Sequence, residues 1–440
     1  MTNPQDRTLS QEVLPEAQSP SIPENVQSKM KRLPSPASRT ELGFPGLLLG
    51  AAAVVALFGA LATGMHALGP VLTERGPTYS EWVQPLPNDL LTRIQWFLGD
   101  MTEPQFYKSW LASIGLLAGA TLAWWAGTRG KKWAGMPISY GSGLWPWILG
   151  SATLSLALSN LAFGAWLSEG WQPTFVPFVC VATAVVLVYG KGWPVLLTGA
   201  ILGAATTTPV AMVLIKFVTG PAALPPVVAN TLAMSLGAAI TFIVVRYVPW
   251  MQLPKPIPQQ DPEPHIESPA AITTIAGKPT LVKEAIWTIR RVIADFTETQ
   301  FFANELASIG VILGVVGAFL LNPLFPAYGA NLLPQILFVQ ALTSAIGVIV
   351  WRHLYRGGGW APTYISVVSV GPASVLAYNG SALSIIGGAV AGALLCPIIA
   401  RAVSARLPKD FHPFIGNTIS MAISVSLIVP GLGLILALNG

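Results

Sequence analysis

The stretch Asp100-Met-Thr-Glu-Pro-Gln-Phe106, followed by Leu111-Ala-Ser-Ile-Gly115, occurs twice in the chain. It returns as Asp295-Phe-Thr-Glu-Thr-Gln-Phe301, followed by Leu306-Ala-Ser-Ile-Gly310. The two copies lie 195 residues apart, in a chain of 440 residues. Self-similarity at such a distance predicts a fold built from two related halves.

Further matches follow in the same order in both halves. Leu144-Trp-Pro-Trp-Ile-Leu149 matches Leu332-Leu-Pro-Gln-Ile-Leu337, Gly170-Trp-Gln-Pro-Thr-Phe175 matches Gly359-Trp-Ala-Pro-Thr-Tyr364, Tyr189, Gly199 and Gly203 match Tyr378, Gly388 and Gly392, and Pro226 with Asn230-Thr231 matches Pro413 with Asn417-Thr418. The offset drifts only to 187 residues at the last of these matches. Chance similarity between apolar segments would not keep this order, so we interpret the pattern as an internal duplication.

The composition indicates an integral membrane protein. Hydrophobic residues make up 52% of the chain and charged residues 10%, and the mean hydropathy is +0.60. Ordinary soluble domains carry about 25% charged residues. So much apolar surface with so little polar covering requires lipid as the solvent.

The same inspection argues against several classes of function. No basic stripe with interleaved aromatic residues suggests nucleic-acid binding, and neither a zinc-protease motif nor a phosphate-binding glycine loop occurs. Cys180 and Cys396 lie in apolar stretches and cannot form a disulfide framework. We therefore expect no enzyme activity, no cofactor and no metal site.

Eleven apolar segments are near the ~20 residues that a membrane-spanning helix needs. They are Phe44–Leu68, Trp110–Gly127, Leu144–Trp166, Phe175–Tyr189, Trp193–Ile215, Leu224–Trp250, Leu306–Phe325, Leu332–Trp351, Pro362–Tyr378, Leu383–Ala402 and Phe414–Leu438. The fourth and ninth are short and begin near prolines. The predicted fold is an all-α membrane protein of about 11 transmembrane helices, with one N-terminal helix followed by a 5+5 inverted-topology internal repeat.

The predicted organisation has five parts. Residues 1–40 form a polar, disordered cytoplasmic tail, 41–99 the first transmembrane helix and an external loop, 100–251 the first repeat, 252–280 a Pro-rich cytoplasmic linker, and 281–440 the second repeat with its leading helix. In that leading helix, Leu281–Phe296, apolar residues recur every three or four positions and charged residues occupy the other face. This periodicity predicts an amphipathic helix lying on the membrane surface.

Charge distribution predicts the orientation. Each repeat holds an odd number of spans, so the second copy should be inverted relative to the first. With the N-terminus inside, 20 of the 24 Lys and Arg residues are cytoplasmic, and the four external ones are Arg75, Arg93, Lys108 and Lys216. This asymmetry follows the positive-inside rule. We expect a multi-pass protein of a bacterial-type cytoplasmic (inner) membrane, with a cytoplasmic N-terminus and an external C-terminus.

The Gly-Trp-x-Pro-Thr motifs are the first candidate substrate site. Short, Pro-interrupted spans at matched positions in two halves are the best sequence indication of a transporter site. Pro173 and Thr174, and their counterparts Pro362 and Thr363, are therefore candidate substrate-binding residues. The alternative interpretation is an interfacial Trp with a Pro at the first helical position.

Three other patterns have both a functional and a structural interpretation. Thr206, Thr207 and Thr208 could bind an ion, but helix packing next to Gly199 and Gly203 is favoured. Asn230 and Asn417 could be gates on opposite sides of the membrane or could join helices by hydrogen bonds. Asp100-x-x-Glu103 and Asp295-x-x-Glu298 could be ion-coupling carboxylates, but their spacing favours helix N-caps.

The predicted function is a secondary transporter that moves a small polar or anionic solute by alternating access. A passive channel with the same repeats is the alternative, and a membrane-embedded enzyme or assembly factor is a third. Few ionisable residues fall inside the predicted spans, which disfavours a buried proton relay. The expected partners are a small-molecule or ion substrate, the lipid bilayer and, in a homo-oligomer, further copies of the chain; nucleic acid is not expected.

Overall fold

The fold is described from a computed structural model for residues 43–86, 88–253, 280–355 and 360–439. The predicted tail and most of the 252–280 linker lie outside these residues, as does Gly359. Every regular element in the described ranges is helical. The helices are α1 (Phe44–Leu68), α2 (Tyr79–Val83), α3 (Leu90–Asp100), α4 (Trp110–Thr128), α5 (Trp145–Phe163), α6 (Val181–Tyr189), α7 (Trp193–Leu214), α8 (Pro226–Val245), α9 (Leu281–Ala294), α10 (Glu305–Leu321), α11 (Leu333–Val350), α12 (Arg352–Tyr355), α13 (Tyr364–Val367), α14 (Val370–Ala377), α15 (Ala382–Ser404) and α16 (Phe414–Asn439).

Eight helices in the described ranges are long and apolar enough to cross a membrane. With the turns that continue them, they are Phe44–Val71, Trp110–Thr128, Trp145–Glu169, Trp193–Thr219, Pro226–Val245, Leu333–Val350, Ala382–Ser404 and Phe414–Leu438. A ninth span arises if α9 and α10, which meet at an angle of 79°, are taken together. The structure therefore supports a multi-pass membrane protein with eight candidate spans among the described residues, or nine if this bent pair counts as one. The count of eleven stays a prediction.

The two remaining predicted spans are broken helices. In the first, a 3-10 turn at Val176–Val179 meets α6 at Cys180, whose backbone has φ −143° and ψ −101°. In the second, α13 meets α14 at Ser369, with φ −144° and ψ −90°. Neither segment is long enough to cross a bilayer as a continuous helix.

Helix α9 is amphipathic, as predicted, but two of its four charged residues are buried. These are Glu284 and Arg291, while Leu281 and Val282 are 49% and 61% exposed. The Gly43 backbone N–H donates a hydrogen bond to Glu284 on the face that packs against α1. Lys283 and Arg290 on the same helix are exposed, so only part of its charged face lies inside the protein. The position of the helix on the membrane surface stays a prediction.

Helices α4 and α10 cross at two glycines that have matched positions in sequence. A Cβ atom added to Gly115 would overlap the backbone carbonyl of Gly310, and one added to Gly310 would overlap that of Gly115. On either side of this point, Gly119 lies against Leu306, and Gly314 lies against Leu111. The two helices therefore pack antiparallel at backbone-to-backbone distance, which only small residues permit.

Candidate functional site

The Asp-x-x-Glu motifs are not helix caps. The N-cap of α4 is Ser109, which accepts from the Ala112 N–H, and the N-cap of α10 is Asn304. Asp100 instead ends α3, and Asp295 begins the 3-10 turn Asp295–Gln300. The cap interpretation is wrong because the chain turns back between each motif and the following helix.

Asp100, Glu103 and Lys108 form the first charged cluster. Lys108 Nζ donates to Asp100 Oδ1 and, at 2.5 Å, to Glu103 Oε2. The other Asp100 oxygen accepts hydrogen bonds from Thr174 Oγ1 at 2.8 Å and from Asn160 Nδ2 at 2.9 Å. The three charged side chains are at most 2% exposed, so the ion pairs are inside the protein.

Asp295, Glu298 and Arg291 form the second charged cluster. Arg291 Nη2 donates to both carboxylates. Thr363 Oγ1 and Ser344 Oγ donate to Asp295 Oδ2, at 2.8 Å for the threonine. All three charged side chains are again at most 2% exposed. The threonine–aspartate bond is therefore present at matched positions in both clusters.

The cation of each cluster comes from a different position. At the 195-residue offset, Arg291 corresponds to Trp96 and Lys108 corresponds to Ala303. Lys108 Nζ lies 3.4 Å from the centre of the Trp96 ring. The ammonium group therefore lies beside the residue that takes the place of Arg291 in the first half. Lys108 lies in the loop before α4, where the sequence placed it, and its external position stays a prediction. The burial of this lysine and of the carboxylates around it was not predicted.

A glutamine pair joins the two motifs. Gln105 Nε2 donates to Gln300 Oε1 at 2.7 Å, and Gln300 Nε2 donates to Gln105 Oε1 at 2.9 Å. Each amide also bonds to a carbonyl of the other segment, that of Phe296 or Met101. This reciprocal arrangement fixes the two turns, and with them the two charged clusters, relative to each other.

A cavity of about 890 Å³ lies beside the first cluster. Helix α8 lines it with Asn230, Thr231 and Met234, and α16 lines it with Thr418, Met421 and Pro430. Glu103 and nine aromatic residues also line it: Tyr79, Phe106, Trp171, Phe175, Phe301, Tyr328, Tyr364, Tyr378 and Phe414. The volume is within the usual range for a small-molecule site.

One end of the cavity reaches the surface and the other is closed. Ala222, Ala223 and Pro430 are exposed at the open end, whereas Phe301 and Phe414 are buried at the other. One turn from Phe414 toward Met421, Thr418 Oγ1 lies 2.7 Å from Ser235 Oγ, and on the other side of Phe414 the ring of Phe242 stacks on Phe411 at 5.4 Å between ring centroids.

An ion pair completes the closed end. Arg246 donates to both Asp410 oxygens, at 2.7 and 2.8 Å. The hydrogen bonds from Arg246 hold the pKa of Asp410 below its ordinary value. Residues near the end of α8 therefore contact residues at the start of α16, and these two sequence-matched helices run antiparallel.

Two cavity-wall side chains have distinctive hydrogen bonding. Glu103 Oε1 accepts from Trp171 Nε1 and, at 3.4 Å, from Tyr328 OH. Asn230 is 4% exposed, and its Oδ1 is without a hydrogen-bond partner. Its counterpart Asn417 donates to Tyr364 OH at 3.0 Å. The residue that corresponds to Tyr364 is Phe175, which has no hydroxyl to offer Asn230.

The structure brings together only part of the site predicted from sequence. Asn230 lines the cavity, and Asn417 reaches its wall through Tyr364. Thr174 and Thr363 are buried and bound to the aspartates, and neither they nor the adjacent Pro173 and Pro362 line the cavity. Their role in substrate binding stays a prediction.

The threonine run of α7 lies away from the cavity wall. Thr206 and Thr207 donate to carbonyls one turn earlier, those of Leu202 and Gly203, and Thr208 bonds to Ser159. These contacts lie within α7 or join it to α5, as expected if the threonines serve helix packing. Sequence reasoning missed Glu103, Trp171 and Tyr328 as wall residues, although the repeated Asp-x-x-Glu and Gly-Trp motifs already contained two of them.

Within the described residues, no group of three or more His, Cys, Asp or Glu side chains could hold a metal ion. Comparison of the chain with models of known protein families and with curated proteins finds no match.

Proposed function

We propose that the protein is a secondary transporter that moves a small polar solute across the membrane by alternating access. The observation that carries this proposal is the cavity between α8 and α16, which is open at one end and closed at the other by side-chain contacts. Both helices come from matched positions in the sequence repeat. An exchange of their contacts would open the closed end and close the open one.

The antiparallel packing of matched helices supports an inverted repeat. Gly115 of α4 meets Gly310 of α10, and the end of α8 meets the start of α16. Two copies related by a two-fold axis in the membrane plane would cross in this way, whereas parallel copies would not. The reciprocal Gln105–Gln300 pair lies where such an axis would pass.

In the proposed orientation, the N-terminus is cytoplasmic, the C-terminus is external and the membrane is a bacterial-type inner membrane. The charge asymmetry of the loops supports this assignment. The cavity then opens to the outside, because Ala222 and Ala223 follow an outward-directed span. Arg246 and Asp410 would close the cytoplasmic end.

A reversible cross-link tests the closed end. Ser235→Cys with Thr418→Cys places two thiols where two hydroxyls lie 2.7 Å apart, close enough for a disulfide after small adjustments. Proteoliposomes with this double variant should lose counterflow of a transported solute on oxidation and regain it on reduction. Each single-cysteine variant is the control, because it cannot form the link; Cys180 and Cys396 are buried.

The same experiment separates the alternatives. Transport that continues at the parent rate after quantitative cross-linking would refute alternating access through this interface. Flux without acceleration by solute on the opposite side, together with a measurable conductance, would favour the channel.

A further inference from the structure

We propose that the cavity binds a protonated amine with an aromatic or apolar body, and that Glu103 is its counter-charge. This inference rests on the proposed transport function and names its substrate class. The anionic solute considered from the sequence does not fit the chemistry of the wall, for three reasons that follow.

The first reason is the charge of the wall. Glu103 is the one carboxylate among the described lining residues, and these residues include no Lys, Arg or His. Lys108, which pairs with Glu103, is fully buried behind it. When both carboxylates are ionised, they exceed the one ammonium by one negative charge, and the cavity-facing member is Glu103. Burial raises the pKa of Glu103 to about 7, so a bound cation would favour its ionised form. A buried charge of this kind is strongly stabilised by a cation.

The second reason is the polarity of the hydrogen-bonding groups. Asn230 Oδ1 is a buried acceptor without a donor, and a buried polar atom left in this state is costly. A carboxylate is also an acceptor. A ligand that satisfies both must supply donors, which a protonated amine does and an ionised carboxylate does not.

The third reason is the aromatic wall. Tyr79, Trp171, Tyr328 and Tyr364 line the same cavity as Glu103. The faces of such rings attract cations, and their area accommodates an apolar body. The second cluster has the same excess charge, but none of Asp295, Glu298 and Arg291 lines the cavity. Glu298 is therefore a matched control: the same residue type, equally buried, at the corresponding position.

A ligand series of constant shape tests the proposal on the purified full chain in detergent. Tryptamine, tryptophol and indole-3-propionate share one ring system, and at pH 7 the first is a cation, as lysine is, the second is neutral and the third is an anion. Calorimetric titration should give at least tenfold tighter binding for tryptamine than for either analogue. Equal or tighter binding of the anion, or no binding of any of the three, would overturn the proposal.

Variants then identify the counter-charge. Glu103→Gln should weaken tryptamine binding at least tenfold and abolish the preference over tryptophol, while Glu298→Gln should retain both. Equal losses in the two variants would overturn the assignment to Glu103.

Asn230→Leu, which removes the unpaired acceptor, should weaken tryptamine binding several-fold. Unchanged binding in this variant would show that Asn230 does not contact the ligand. The two proposals can fail separately. If tryptamine binds as expected but the Ser235–Thr418 cross-link does not block transport, the binding site is supported and the alternating-access mechanism is rejected.

Discussion

At the scale of single residues, the main feature is a buried cation between two carboxylates in each cluster. Lys108 supplies it in one cluster and Arg291 in the other. Removing one partner of a buried ion pair leaves an uncompensated charge and typically costs about 3–5 kcal/mol. The cations are therefore structural requirements of the two turns that place Glu103 beside the cavity.

We expect Lys108→Ala to lower the melting temperature of the purified protein strongly. Adding Trp96→Arg should restore part of the loss, because the double variant reproduces the arrangement of Arg291 and Ala303 in the second cluster. Ala303 has φ +47° and Lys108 has φ +44°, so alanine is already accepted in this backbone conformation.

Lys191→Ala is the control for the loss of an exposed lysine and should melt like the parent. In the double variant the melting temperature should recover only in part, because Trp96 also donates a hydrogen bond to Thr174 and stacks on Trp82. A double variant no more stable than Lys108→Ala would refute the idea that the two positions are interchangeable sources of charge.

At the scale of elements, the crossing of α4 and α10 depends on glycine. Gly115→Ala should destabilise the protein by at least the roughly 1–3 kcal/mol that overpacking costs, since the new methyl group would overlap backbone rather than a movable side chain. Thermal unfolding followed by far-UV circular dichroism measures the effect.

Gly127→Ala, in the same helix, has open space around the new methyl group and is the matched control. Alanine favours a helix over glycine by roughly 0.5–1 kcal/mol, so this variant should be neutral or slightly more stable. Equal behaviour of the two variants would contradict the close crossing of α4 and α10.

The sequence predicted elements better than it predicted pairing between them. The bounds of α1 agree with the predicted first span, and α9 was placed correctly as far as its amphipathic pattern goes. Periodicity could not tell that Glu284 and Arg291 of α9 are buried, because a buried polar residue and a solvated one have the same local pattern.

The charged site was only partly predictable for the same kind of reason. Asp-x-x-Glu spacing fits both a cap and a pair of buried ligands, and the partner of a carboxylate is set by tertiary contacts. Lys108 and Arg291 stand at non-corresponding positions, so the repeat that revealed Asp100 and Asp295 gave no indication of their cations. Asn230 was recognised because its type and position do recur.

At the scale of the whole molecule, the Arg246–Asp410 pair limits how the closed end could open. Because the pKa of Asp410 is lowered, the contribution of this pair is complete above the ordinary carboxyl pKa of about 4 and is lost only as the pH falls through the lowered value. Ordinary changes of pH therefore do not release it. Opening has to separate two charged side chains, which their partial exposure to water makes less costly.

Thiol labelling in intact cells tests the proposed orientation of the chain. A cysteine placed at Asn439 should react with an impermeant maleimide from outside, whereas cysteines at Asn3 and Gln259 should react only after the membrane is permeabilised. Cys180 and Cys396 are buried and give a low background. Labelling of Gln259→Cys in intact cells would refute the inverted repeat while leaving the cavity as described.

The different origins of the two buried cations constrain the history of the chain. Descent of both halves from one ancestor, as the proposed repeat requires, means that at least one half replaced its cation. A lineage that lost the old cation first would have passed through an unstable protein with two unbalanced carboxylates. A lineage that gained the new cation first would have passed through a protein whose two carboxylates were balanced by two cations. The second route requires an intermediate with cations at both positions, and Trp96→Arg in the present chain, with Lys108 retained, would recreate it.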